Sequence, residues 1–136
     1  MSVWRRKALA LFPEYRHEIQ ARDFTIYSLF MLHALPWVRD AHVAGSEDRL
    51  RPIYAFAEWC LRQKAKDIWN AAGVSFYEHL FDCKKRDWPW IVPWLSQYVV
   101  DNCAGLWAWR LTLTDYEHLR ELLGKKNLFA PPLQPT

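Results

Sequence analysis

Nine tryptophans among 136 residues limit what this chain can fold into more than any other feature it has. An indole carries roughly 150–250 Å² of surface, and at about 25 cal/mol per Å² leaving one wholly in water forgoes several kcal/mol. Most of the nine must therefore sit in a core, a groove or a contact surface, and core packing is the commonest fate of any one of them. The length supports that much burial. One domain of this size withdraws roughly two-thirds of its unfolded surface from water and needs no disulfide or metal to fold. With 51% hydrophobic and 24% charged residues, the composition is that of a globular domain.

The apolar residues recur at helical spacing, and strand-type alternation is almost absent. The expected fold class is all-α, a compact bundle or stack of five to six helices. Helix one is expected from Val3 to Phe12, with Pro13 starting a second segment to about Arg22. Asp23 is the expected N-cap of a helix from Phe24 to Ala44, kinked near Pro36 and closed by Gly45 in a left-handed turn. Ser46-Glu47-Asp48 opens the next helix, whose Arg51, Glu58, Arg62 and Lys66 are expected to face water. Asp67 is expected to cap a helix from Ile68 to about Asp82, apolar nearly all round and so the expected centre of the domain. Trp88-Pro89-Trp90-Ile91-Val92-Pro93-Trp94 is expected to be a bent helical turn. A helix from Trp94 to Arg110 should follow, then a short one opened by Thr114-Asp115-Tyr116-Glu117 and ending before Gly124. The division is thus a single helical domain over 1–124 and a Pro-rich tail over 125–136.

Several function classes find no support. A net charge of +3, with both signs interspersed, is too weak a bias to draw nucleic acid or an anionic membrane. Three widely spaced cysteines, Cys60, Cys83 and Cys103, form no C-x-x-C pair, so neither a disulfide framework nor a thiolate zinc site is expected, and a reducing cytoplasm suits them. The basic start Trp4-Arg5-Arg6-Lys7 lacks the long apolar region of a signal peptide, and no apolar run is long enough to span a bilayer. No cofactor is expected.

Five groups of residues are candidates for chemistry. Glu14 to His17 and Asp115 to His118 have the acid-x-x-His spacing of helical di-metal sites, but the two further inward carboxylates such a site needs are not evident, and no metal is expected. Glu78 and His79, with Asn70 and Tyr77, are candidates to line a ligand pocket; a buried neutral His with one partner is the plainer reading. Cys83 precedes Lys84-Lys85-Arg86, cations that lower a thiol pKa, yet no His lies nearby in sequence to act as base. The same basic stretch leads into Trp88, Trp90 and Trp94, and Arg86 with these three reads as a protein-contact hot spot ahead of a nucleic-acid surface, or as a solvated loop whose indoles tuck inward. No catalytic residue is assigned.

Phe56-Ala57-Glu58-Trp59-Cys60 and Asn70-Ala71-Ala72-Gly73-Val74-Ser75-Phe76-Tyr77-Glu78-His79-Leu80, with Leu11-Phe12-Pro13-Glu14, resemble segments of an uncharacterised family of small all-helical bacterial proteins. The resemblance runs to about Gly124. It implies a bacterial cytosolic protein and an all-helical fold, and brings no activity. The expectation is therefore a small cytoplasmic protein-interaction module, of the binding or inhibitory and immunity type, without catalytic activity. The alternative is an enzyme or small-ligand binder with a pocket around Glu78 and His79. The expected partner is another protein.

Overall fold

The computed structural model describes residues 1–125, and the expected tail therefore lies, except for Lys125, outside the described residues. The described residues are all-helical, with no strand. Eight helices are formed, more than the five to six expected: α1 (Val3–Leu11), α2 (Arg16–Gln20), α3 (26–44), α4 (Glu47–Leu61), α5 (Lys66–Ser75), α6 (Trp88–Ile91), α7 (Gln97–Arg110) and α8 (Leu113–Gly124). Short 3₁₀ turns at Pro13–Tyr15, Tyr77–His79, Lys85–Asp87 and Val92–Trp94 join some of them. The excess arises because Pro13, Pro89 and Pro93 split what would be longer helices into single turns, two of which stand as separate helices.

α3 opens two residues later than expected, because Thr25 Oγ1 and not Asp23 accepts from the Ser28 amide at 3.2 Å. Its kink is a π-turn at Phe30–Ala34. Pro36 has no N–H for the Leu32 carbonyl, and the wider turn immediately before it absorbs the break. Gly45 (φ 65°) ends the helix in the left-handed conformation expected of it. Likewise α8 is capped by Thr112, whose Oγ1 accepts from the Asp115 amide, and not by Thr114.

Two expectations about the middle of the chain are corrected. The helix after Asp67 begins at Lys66 and stops at Ser75 instead of reaching Asp82. Phe76 and Tyr77 are both buried, and neighbouring residues of one helix point about 100° apart; leaving the helix at Phe76 (φ −128°) lets both rings enter the core. The central element is instead α4, which packs against α1, α3 and α5 and buries Leu50, Ile53, Tyr54, Phe56, Ala57, Cys60 and Leu61. Glu58 is buried with them, at 3% exposed, although the sequence placed it in water. α5 meets α7 at Gly73, where an added Cβ would lie 3.2 Å from Leu106.

Candidate functional site

Three arrangements among the described residues bear on the expected sites. The first surrounds Glu58. Its Oε1 accepts from the Ser96 hydroxyl at 2.6 Å and its Oε2 accepts from Arg62 Nε at 3.0 Å. Ser96 also caps α7 by accepting from the Val99 amide at 3.3 Å. The carboxylate therefore ties the start of α7 to α4, with its acceptor capacity spent on folding. A groove of about 430 Å³ beside it is roofed by the Lys7 ammonium, 4.8 Å from the centre of the Trp59 ring.

The second arrangement contains half of the expected ligand pocket. Glu78 and His79 meet Asp82 and Arg110: His79 Nδ1 lies 3.0 Å from Asp82 Oδ2 and Arg110 donates to both Asp82 oxygens at 2.7–3.0 Å, while its Nη1 lies 3.6 Å from Glu78. Burial works to raise the Asp82 carboxyl, but its bonds to Arg110 and His79 outweigh that and hold it below the usual range. Asn70 and Tyr77 do not join this group. Asn70 donates to the Tyr27 hydroxyl at 3.0 Å and faces the α5–α7 groove. The Tyr77 ring is buried in the core, and its carbonyl accepts from the Trp107 indole.

The third arrangement lies where the end of α3 faces the Trp88–Trp94 stretch. A groove of about 420 Å³ runs between them, lined by Val43, Gly45, Glu47, Pro89, Trp90, Pro93 and Trp94. A smaller, mostly apolar chamber of about 170 Å³ opens on the same His42, Val43 and Trp90 and is closed by Arg39, Leu80, Cys83 and Asp87. Val43 is 80% exposed and Trp90 50%. These are large apolar surfaces that folding has left in water, side by side.

Rigid aromatic packing holds this wall. The Tyr54 ring stacks on Trp94 with centroids 5.4 Å apart and planes 11° apart. Its hydroxyl lies 2.6 Å from His42 Nε2. Burial, then the charge of Arg39, pushes the His42 pKa down to about 4, against a smaller pull from Asp87. His42 is thus a neutral acceptor for the Tyr54 hydroxyl, whose own pKa burial pushes well up.

Of the expected contact residues, Trp90 and Trp94 line this groove, and Arg86 is well exposed, its nearest acid the adjacent Asp87 at 3.9 Å. Trp88 belongs to the core: its indole is 1% exposed and donates to the Cys83 carbonyl at 3.3 Å. Cys83 stands near the groove, but burial raises its thiol pKa and its Sγ donates to the Leu80 carbonyl, so the thiolate fraction that would make it reactive is small. Of the acid-x-x-His pairs, Glu14 and His17 are exposed, while Asp115 pairs with Lys85 and His118 packs on Trp88. No cluster of potential metal ligands occurs among the described residues, and none of their helices is long and apolar enough to cross a membrane. Sequence reasoning missed His42, Val43 and Tyr54. The available signal was Val43 itself, an apolar residue two positions before a helix-ending glycine and off the inward stripe of its helix.

A family model described as a domain of unknown function (DUF7674) matches residues 5–100. No curated protein and no solved structure matches the chain.

Proposed function

The chain belongs to this family, which brings no activity with it, and from that premise we propose that the protein is a small protein-interaction module that docks its partner in the groove of Val43, Trp90 and Trp94. One observation carries the reading: two large apolar side chains stand exposed on either side of an aromatic groove whose walls are held by neighbouring rings. Contiguous exposed apolar surface of this kind is a mark of contact sites, and tryptophan is the residue most enriched among binding anchors. Every residue lining the groove falls within the matched stretch 5–100. Glu47, largely exposed, lies at the groove's edge, a charged side chain beside an apolar anchor of the kind interface rims carry.

The module acts without chemistry of its own, by occupying a surface of its partner in the manner of an inhibitory or immunity protein. A reducing cytoplasm is its proposed location, supported by three free cysteines, two of them buried. A ligand pocket at Glu78 and His79 gains less support, because those groups are engaged with Asp82 and Arg110.

A photo-crosslinking side chain placed at Val43 in the native cell tests the proposal. The expected result is one discrete protein adduct that Trp90→Ala abolishes without lowering the melting temperature. Adducts no different from those formed at Asp101, an exposed position of α7, would overturn it.

A further inference from the structure

The small chamber beside the groove has a size and a wall suited to one kind of occupant. It holds about 170 Å³ and opens on His42, Val43 and Trp90, which also line the larger groove. Pockets for metabolites and cofactors run to roughly 300–1,000 Å³, so no nucleotide or sugar phosphate enters this one. A dry apolar cavity of about 150 Å³ does accept benzene. The space therefore matches a single six-membered ring and leaves little for the second ring of an indole.

The wall is equally selective. Val38, Leu80 and Ile91 line it and are 1–4% exposed, so its apolar side is fixed by packing on the rest of the domain. The polar groups that reach it are already engaged. Arg39 donates to the His79 carbonyl at 2.6 Å, His42 Nε2 lies 2.6 Å from the Tyr54 hydroxyl, and Cys83 Sγ donates to the Leu80 carbonyl at 3.6 Å. Asp87 keeps contact with water, its side chain 27% exposed. Among the described residues, no buried side-chain nitrogen or oxygen of this lining lacks a partner. A polar atom carried inside would lose its bonds to water and find none in exchange, whereas an apolar ring has none to lose.

We infer that the chamber is the binding site for one apolar, benzene-sized group, and that the docked partner fills it with a phenylalanine side chain. The second half rests on the docking reading above; the first does not. A tyrosine would bury its hydroxyl unpaired, a tryptophan exceeds the volume, and a valine or leucine leaves part of the space empty and its wall short of contacts. Interface anchors sit in pockets of this kind, desolvated and ringed by contacts that exclude water. The exposed Val43 and Trp90 stand where that ring would form.

Benzene and pyrazine test the chamber on the purified full chain. The two rings share a shape, but pyrazine carries acceptors at opposite ends, so no orientation inside the chamber spares both. The methyl resonances of Leu80 and Ile91 should shift with benzene and reach saturation, while Ile19, fully buried in α2, should not move. Pyrazine should bind at least about tenfold more weakly. Shifts that rise without saturating, or equal affinity for the two rings, overturn the inference. Cys83→Leu adds bulk to the chamber wall and should abolish the benzene response; an unchanged response in the folded variant places the ring elsewhere and overturns it too. Should the variant unfold, the native titration decides alone. In the native cell the same substitution should remove the Val43 adduct. If the adduct persists while benzene binding is lost, the partner docks without using the chamber: the inference about its anchor falls and the docking reading stands. Benzene binding without any adduct does the opposite, sinking the docking reading and leaving the chamber a site for a free apolar ring.

Discussion

Trp107 and Trp90 bring the same side chain to contrasting depths. Trp107 is fully buried, donates its indole N–H to the Tyr77 carbonyl at 2.8 Å, and presents its ring edge-on to Phe81 at 5.3 Å. Trp88 repeats the pattern from the other side of Phe81, at 5.4 Å, with its N–H on the Cys83 carbonyl. Trp90, two residues further on, is half in water. Two steps of a helix turn a side chain by about 200°, so the single turn of α6 that drives Trp88 inward necessarily drives Trp90 out. A buried indole must pair its N–H, and Trp88 and Trp107 find the carbonyls of Cys83 and Tyr77. Those bonds hold Trp88 and Trp107 in the core, while Trp90 stays half in water.

Removing a core anchor should give the largest effect. Trp107→Ala deletes the largest buried ring of α7 and leaves the Tyr77 carbonyl without its donor, so a loss of about 3–5 kcal/mol is expected in urea unfolding. A loss below about 1 kcal/mol would break the division between anchors and contact residues. Next comes the buried acid. Glu58→Ala strands the Ser96 hydroxyl and opens a gap between α4 and α7, while the half-exposed Arg62 returns to water at small cost. The expected loss is about 2–3 kcal/mol, with α7 exchanging its amide hydrogens first. Uniform exchange across the molecule would show that Glu58 does not act through α7.

His42 links core and groove and gives the comparison a pH dependence. Its folded pKa of about 4 lies below the ordinary 6.5, so the unfolded chain takes up a proton that the folded one refuses. Stability therefore falls as pH drops from 6.5 towards 4, is unaffected by this group above 6.5, and changes no further with it below 4. The contribution is roughly 3 kcal/mol across that window, and His42→Gln should remove it. Parallel stability curves for the two proteins between pH 7 and 4 would show that His42 is protonated in the fold at no cost.

How legible this was follows from the same contrast. The helical class, the left-handed Gly45, the bent Trp88–Trp94 turn and the Trp-rich core all follow from local rules of spacing and capping. The count of helices did not, because whether Arg16–Gln20 or Trp88–Ile91 stands as its own helix depends on how prolines break the turns around it. Glu58 was misplaced for a tertiary reason: its partner Ser96 is 38 residues away, and nothing near Glu58 announces that the start of α7 will cover it. The groove was half legible. Trp90 and Trp94 stood out as aromatics beside a basic loop, and Trp88 read the same way until its depth separated it. Val43 and His42 looked like ordinary positions of a long helix. What makes them a wall is the return of the chain past them some fifty residues later, and periodicity carries no trace of that return.

The smallest expected change in stability is at the residue expected to matter most for binding. Trp90→Ala removes a ring whose surface is half hydrated already and, among the described residues, leaves no hydrogen bond unmade. Substitutions at such positions shift stability by no more than about 0.5 kcal/mol, which differential scanning calorimetry resolves for a domain of this size. Against this, truncating a central tryptophan of an interface costs 2 kcal/mol or more, of the order of thirtyfold in affinity. The prediction is the ratio of the two: near-native melting with loss of the Val43 adduct. A large drop in melting temperature would mean that Trp90 is as much an anchor of the fold as Trp107, and its exposed half merely the remainder of a core residue at the edge. The distinction between the two kinds of indole would then be one of depth alone.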